Sequence, residues 1–165
     1  MIFFKLTLGY FLDMAFGDPY WLYHPVRLIG KLISLGEKIT RRLFPKNHQG
    51  EVAAGGVMAL GVVAVSFFVP FIILSLCRRI HPGVAFIVET FWIYQILAGK
   101  CLAVEAKKVF SALNEGKIYK ARRLLGYLVG RDTKNLSEDE VIKAAVETVA
   151  ENTTDGVIAP LIFIA

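Results

Sequence analysis

Only two cysteines occur in the 165 residues, Cys77 and Cys101. They fall at ends of apolar runs that would face opposite sides of a bilayer. A disulfide between them is therefore not expected, and neither belongs to a metal-ligand pattern. The chain has no internal repeat, no low-complexity stretch and no glycine-rich phosphate loop of the Walker type. Charge is absent from one long region altogether: the 26 residues from Val52 to Cys77 carry none. With 55% hydrophobic residues and a mean hydropathy of +0.53, the chain is too apolar for an ordinary soluble domain. About 20 apolar residues cross a bilayer, so 52–77 reads as a membrane span. Pro70 within it is tolerated, as prolines in membrane helices are.

A second span, 83–104, follows the short basic turn "RRIHPG". Its first part is broken only by Glu89, an intramembrane carboxylate that reads equally as a functional group or as a helix-to-helix partner of Gln95 or Lys100. Trp92 and Tyr94 lie too deep for an interface belt and are expected to face other helices. The first residues, 2–16, read as a short or tilted membrane helix. Asp13 interrupts the apolar core that a signal peptide would need, so this helix is expected to stay attached. The last residues, from 157, are uncharged and read as the start of another span. The expectation is an all-α, polytopic integral membrane protein, with 1–165 a single membrane domain cut short. Segments 17–51 and 105–155 hold six and nine Lys/Arg. Two spans separate them, so they share one face, and the positive-inside rule makes it cytoplasmic.

In the first cytoplasmic segment Leu28, Leu32, Leu35, Ile39 and Leu43 recur at helical spacing. Lys31, Lys38, Arg41 and Arg42 occupy the other faces, which is the pattern of a basic helix lying on a membrane surface. The second segment reads as three helices. Lys100–Glu115 ends at Gly116, and Lys117–Val129 ends at Gly130. A third is opened by Ser137 with Glu140 in a capping box and packed through Val141, Ala144, Ala145, Val149 and Ala150. The cluster Lys117, Lys120, Arg122 and Arg123 reads as a solvated face.

The third helix carries Glu147, Glu151 and Asp155 four residues apart, just before the apolar "VIAPLIFIA". Like charges at this spacing repel by about 0.2–0.5 kcal/mol per pair. Lys143 can neutralise Glu147, but nothing local neutralises Glu151 or Asp155. A hard divalent cation would, and Mg²⁺ typically takes one or two carboxylates and shares itself with phosphate oxygens. Glu151 and Asp155 therefore read as metal ligands or a general base, with Glu147 beside them. Asn152 on the same turn and the nearby Arg131, Asp132 and Thr133 are candidates for holding phosphate. A fully solvated acidic face is the plain alternative.

Three strings, "GDPYWLYHPVRLIG", "LVGRDTKNL" and "AAVETVAENTTDGVIAP", occur in this order around the two spans. Together they resemble the cobalamin-biosynthesis membrane proteins of the adenosylcobinamide-phosphate synthase (CobD/CbiB) family along the whole chain. The resemblance implies an ATP-dependent ligase forming a carbon–nitrogen amide bond. It would join aminopropanol, or its O-phosphate, to the corrinoid adenosylcobyric acid, with Mg²⁺ accompanying ATP. It also adds Asp18, His24 and Arg27 to the substrate-binding candidates. The implied setting is the inner or plasma membrane, multi-pass in the lipid bilayer, with the active site facing the cytoplasm. No nucleic acid is implied, and a homo-oligomer is compatible with the pattern. Two other classes compete. A Mg²⁺-dependent membrane phosphotransferase would want a denser aspartate cluster. A transport or scaffold component built around Glu89 would want polar residues along 52–77, where only Ser66 and Ser75 stand out.

Overall fold

The polar backbone of an apolar chain must be satisfied internally, and helices do this within one segment. The computed structural model describes residues 1–19 and 21–165, and among these it contains helices and no strand. In chain order they are α1 (Ile2–Phe16), α2 (Pro25–Leu43), α3 (His48–Ile80), α4 (Pro82–Ile96), α5 (Gly99–Asn114), α6 (Ile118–Leu125), α7 (Glu138–Thr153), a π-turn (Thr154–Ile158) and α8 (Ala159–Ile164). Two stretches are long and apolar enough to cross a membrane: α3, and α4 with α5 taken together from Pro82 to Asn114. The chain divides into two compact units, residues 20–89 and residues 1–19 with 90–165.

In the first unit α2 packs against α3, and α4 follows α3 after a single residue. His24 caps α2, its Nδ1 accepting from the Val26 N–H at 3.2 Å, and Pro25 fills the first helical position. Asn47 caps α3 in the same way, through the Gly50 N–H at 2.7 Å. The expected span 52–77 lies inside α3, which continues through Pro70 for 33 residues, or roughly 50 Å of rise. A single residue, His81, separates α3 from α4, and its Nδ1 accepts from the Gly83 N–H at 3.0 Å. Across it Arg78 Nη2 reaches Glu89 Oε1 at 2.6 Å. Gln95 or Lys100 was the expected partner for Glu89. Arg78 is an ion-pair partner of Glu89, reached across the one-residue break between α3 and α4.

The second unit has two cores. Val109, Ala112, Ala121, Leu125, Val141 and Ala144 are buried where α5, α6 and α7 meet. Leu6, Ile93 and Leu97 are buried with Val157, Leu161 and Ile164 against them, joining α1, the end of α4 and α8. Gly116 ends α5 as expected, with φ of +68°. That conformation lets the Gly116 and Lys117 N–H groups close on Leu113 and Ala112 carbonyls at 2.8 and 2.9 Å. The next helix stops four residues short of the expected Val129. Thr133 Oγ1 donates to the Arg122 carbonyl at 2.7 Å and Arg122 Nε donates to the Leu136 carbonyl at 2.6 Å, folding the loop back over the end of α6. Arg122 is thus a loop-holding residue rather than part of a solvated face. On α7, Val141 and Ala144 are buried as expected, whereas Ala150 is exposed.

Candidate functional site

Helix α7 starts where the capping box predicted. Ser137 Oγ accepts from the Glu140 N–H at 3.3 Å, and Glu140 Oε2 accepts from the Ser137 N–H at 2.7 Å. The three aligned carboxylates follow along it. Glu147 is flanked by two cations, Lys143 Nζ and Arg131 Nη2, each at 3.9 Å. The structure thus brings Arg131 from the preceding loop to the acidic face. Glu151 and Asp155 are both exposed, and neither forms an ion pair among the described residues. Asn152, one residue beyond Glu151, is half-buried.

The regular α-helical spacing holds through Glu151 and then changes. The backbone runs as a π-turn from Thr154 to Ile158, with Asp155 in its first turn. Pro160 explains it. Proline has no N–H, so it cannot donate to the carbonyl four residues before it, and its ring crowds that carbonyl. That carbonyl belongs to Gly156. The Ala159 N–H turns to Thr154 instead, and the Gly156 carbonyl accepts the N–H of Ala98 at 3.1 Å. Single π-turns inside α-helices are frequent at functional sites.

Ala98 lies in the break between α4 and α5, where further backbone N–H groups would be orphaned. Asp13, 1% exposed, supplies the acceptor: its Oδ2 takes the N–H of Gly99 at 2.9 Å and of Lys100 at 3.2 Å. A side chain at position 99 would place its Cβ 2.9 Å from that oxygen, so the approach needs glycine. Lys100 Nζ donates to the Ala15 carbonyl and Tyr94 Oη to the Gly17 carbonyl, both at 2.5 Å. Tyr94 is buried, as its depth in the span led one to expect. The sequence reading missed this node. An aspartate inside an apolar helix was the available signal, taken there only as an interruption.

The remaining candidates fall as follows. Asp132 Oδ1 accepts the Lys134 N–H at 3.0 Å, closing a local turn. Thr133 is buried and bonded to α6, which gives its hydroxyl a loop-holding task. Asp18 is exposed in the second unit, while His24 and Arg27 belong to the first unit, with His24 engaged as the α2 cap. Among the described residues no group of three or more His, Cys, Asp or Glu could hold a metal ion. The donor set at the end of α7 is two carboxylates. That suits Mg²⁺ only when phosphate oxygens and water complete the shell.

The fold and site define a helical protein with two helices of membrane-crossing character and an acidic helix end shaped by a π-turn. The family model for CobD/Cbib protein matches residues 6–165. The chain belongs to the CobD/CbiB family. It is 46% identical over 159 residues to the cobalamin biosynthesis protein CobD of Clostridium perfringens, covering 96% of this chain and 50% of that protein. It is 43% identical to the CobD of Citrobacter koseri and to the CbiB of Salmonella typhi, each over 157 residues, 95% of this chain and 49% of the relative. The chain thus spans about half the length of these curated relatives. No solved structure matches it.

Proposed function

We propose that this chain works in cobalamin biosynthesis as part of a membrane-bound, ATP-dependent amide ligase. Its substrates would be adenosylcobyric acid and aminopropanol or its O-phosphate. The observation that carries the reading is the pair of cation-free carboxylates, Glu151 and Asp155, at a π-turn in a member of the CobD/CbiB family. The relatives' names place them in cobalamin biosynthesis, and the ligase chemistry comes from the family resemblance.

A carboxylate is a poor acyl donor because oxide does not leave. Transfer of a phosphoryl group from ATP to the propionate oxygen makes an acyl phosphate. The amine then attacks the acyl carbon, inorganic phosphate departs, and the nitrogen gives up a proton to a base. Catalysis of the phosphoryl step is mostly positioning and charge neutralisation. Bound Mg²⁺ would supply the charge neutralisation, held by Glu151 and Asp155. Arg131, at the same helix face, can meet a phosphate oxygen, and Asn152 can orient one. A carboxylate not engaged elsewhere can take the amine proton. Glu147, already flanked by Arg131 and Lys143, is the least available of the three. For Asp18, His24 and Arg27 the support is the family likeness of their string. The two apolar stretches and the Lys/Arg distribution support a multi-pass topology with residues 17–51 and 105–155 in the cytoplasm. Glu89, on which a transport reading would depend, is engaged by Arg78.

The test uses membranes holding the full-length protein, supplied with adenosylcobyric acid, aminopropanol phosphate and Mg-ATP, with the amide product read by mass. Glu151→Gln and Asp155→Asn should each lower turnover by about 10²-fold or more, as expected of groups acting in acid–base or charge-stabilising roles. Stability should be unchanged or slightly raised, since like-charge repulsion is relieved. Glu147→Gln should be milder. Near-normal turnover in the first two would make the acidic stretch a solvated face.

A further inference from the structure

An open cavity of about 570 Å³ lies between α2 and α3, within the range of small-ligand sites. Glu37, Arg41, Phe44, Lys46, Glu51 and Met58 are among the residues that line it. We propose that this cavity binds the headgroup of an aminophospholipid, its phosphate at Lys46 and Arg41 and its ammonium at Glu51. The proposal depends on α3 lying in a membrane and not on the ligase chemistry.

Charge is the first reason. Arg41 Nη2 is paired with Glu37 Oε1 at 2.8 Å. Lys46 and Glu51 form no ion pair among the described residues. One free cation and one free anion in the same cavity complement a zwitterion rather than a simple anion. The guanidinium of Arg41 keeps N–H groups beyond those it gives Glu37, because arginine carries five.

Depth is the second reason. Glu51 is the last charge before the 26 uncharged residues of α3, so the cavity lies at the charged end of that run. Met58 lies seven residues further along the same helix, roughly 10 Å into the uncharged run. The cavity therefore passes from a charged mouth to an apolar floor, in the order in which a phospholipid passes from headgroup to acyl chain. Its other wall is α2, whose Leu28, Leu35, Ile39 and Leu43 stay exposed between its basic residues, apolar surface that acyl chains can cover. The helices approach closely at Gly36, where a Cβ would lie 3.0 Å from Met58 Cγ. Thr40 is no competitor for the ligand, since its hydroxyl donates to the Gly36 carbonyl at 2.9 Å.

A soluble amino-alcohol phosphate shares the ammonium and phosphate but has no chain for the apolar floor. The experiment separates the two. The full-length protein in detergent is titrated with phosphatidylethanolamine, phosphatidylcholine and phosphatidylglycerol of matched chains, and bound lipid is counted by native mass spectrometry. Phosphatidylethanolamine should bind about tenfold tighter than phosphatidylcholine, whose quaternary ammonium cannot donate to Glu51. Glu51→Gln should erase that preference. Lys46→Ala should weaken all three lipids, and Lys46→Arg should restore them. Lys38→Ala, outside the cavity, should change nothing, and thermal midpoints show that each variant is folded. Equal binding of the three lipids by the unaltered protein, or no effect of either cavity variant, would overturn the proposal. So would full displacement of the lipid by free O-phosphoethanolamine at millimolar concentration. Ligase turnover is measured in parallel, and its absence leaves the lipid result standing.

Discussion

Replacing Asp13 by alanine should loosen the junction of α1, α4 and α5 more than any single change on the exposed acidic face. The carboxylate is 1% exposed and its Oδ2 accepts two backbone N–H groups, at 2.9 and 3.2 Å. A hydrogen bond to a charged acceptor contributes about 1.5–3 kcal/mol, and a helix cap removed to alanine usually costs about 1 kcal/mol. Losing the carboxylate also removes the cost of having buried it, which offsets part of the loss. The balance is a destabilisation of about 2–3 kcal/mol for Asp13→Ala. Asp13→Asn keeps an oxygen for both donors but adds an NH₂ that needs partners of its own, so it should cost about 1 kcal/mol. Tyr94→Phe, which deletes only the hydrogen bond to the Gly17 carbonyl, should also cost about 1 kcal/mol.

Hydrogen exchange on the full chain in detergent reads this locally. If the start of α5 opens independently, 2–3 kcal/mol corresponds to exchange faster by roughly 30- to 150-fold at the amides of residues 99 and 100. Exchange within α3 should be unchanged. If Asp13→Ala leaves protection at 99 and 100 within a factor of two of the parent, the carboxylate is not the cap of α5 and the reasoning fails.

Two further outcomes follow from the fold. In a background lacking Cys77 and Cys101, single cysteines at 48, 81 and 134 should label differently from outside intact cells: 81 should react and 48 and 134 should not, and reaction at 48 would reverse the proposed topology. The Ser137 N–H, and then the Ser137 hydroxyl, hold the Glu140 carboxyl below its ordinary value of 4.5. A carboxyl lowered in the folded state stabilises above the unfolded value, and that stability fades as pH falls through the folded one. The thermal midpoint of the parent should therefore drop below pH 4.5 by more than that of Glu140→Gln, and Ser137→Ala should cost about 1 kcal/mol at neutral pH. Parallel pH profiles for parent and Glu140→Gln would remove the capping box from the account.

What could be read from the chain was whatever neighbours in sequence determine. Charge-free 52–77 marks α3, whose ends lie a few residues beyond it at His48 and Ile80. Ser137 and Glu140 mark the start of α7, and Gly116 marks the end of α5, because caps are made within a few residues. The end of α6 escaped because Thr133 and Arg122 act across 11 and 14 residues to fold the loop back. Glu89 could be flagged as a carboxylate that needs a partner, but Arg78 becomes a partner only across the one-residue break at His81. Asp13 is the extreme case. Its contacts lie 86 and 87 residues away, and nothing in an apolar helix with one acid names the helix end that the acid will meet. At the candidate site, Glu147 with Lys143 was legible as an i,i+4 pair, while the approach of Arg131 depended on the loop.

The site's backbone is best understood as two helix interruptions that satisfy each other. Pro160 deprives the Gly156 carbonyl of its usual donor, and the break at residues 97–98 deprives the start of α5 of its usual acceptors. In an environment without water, either alone would leave unpaired polar backbone at a cost of several kcal/mol per group, on the order of 2–7. Here the Ala98 N–H meets the Gly156 carbonyl, and Asp13 takes the next two donors. The π-turn is therefore anchored from outside its own helix, and Asp155 sits immediately before the anchored residue. A carboxylate on an ordinary helix surface would follow only its own backbone. Asp155 instead inherits its place from α1 and from the α4–α5 break. Such fixing is what the charge-positioning role proposed for Asp155 requires of the structure that carries it.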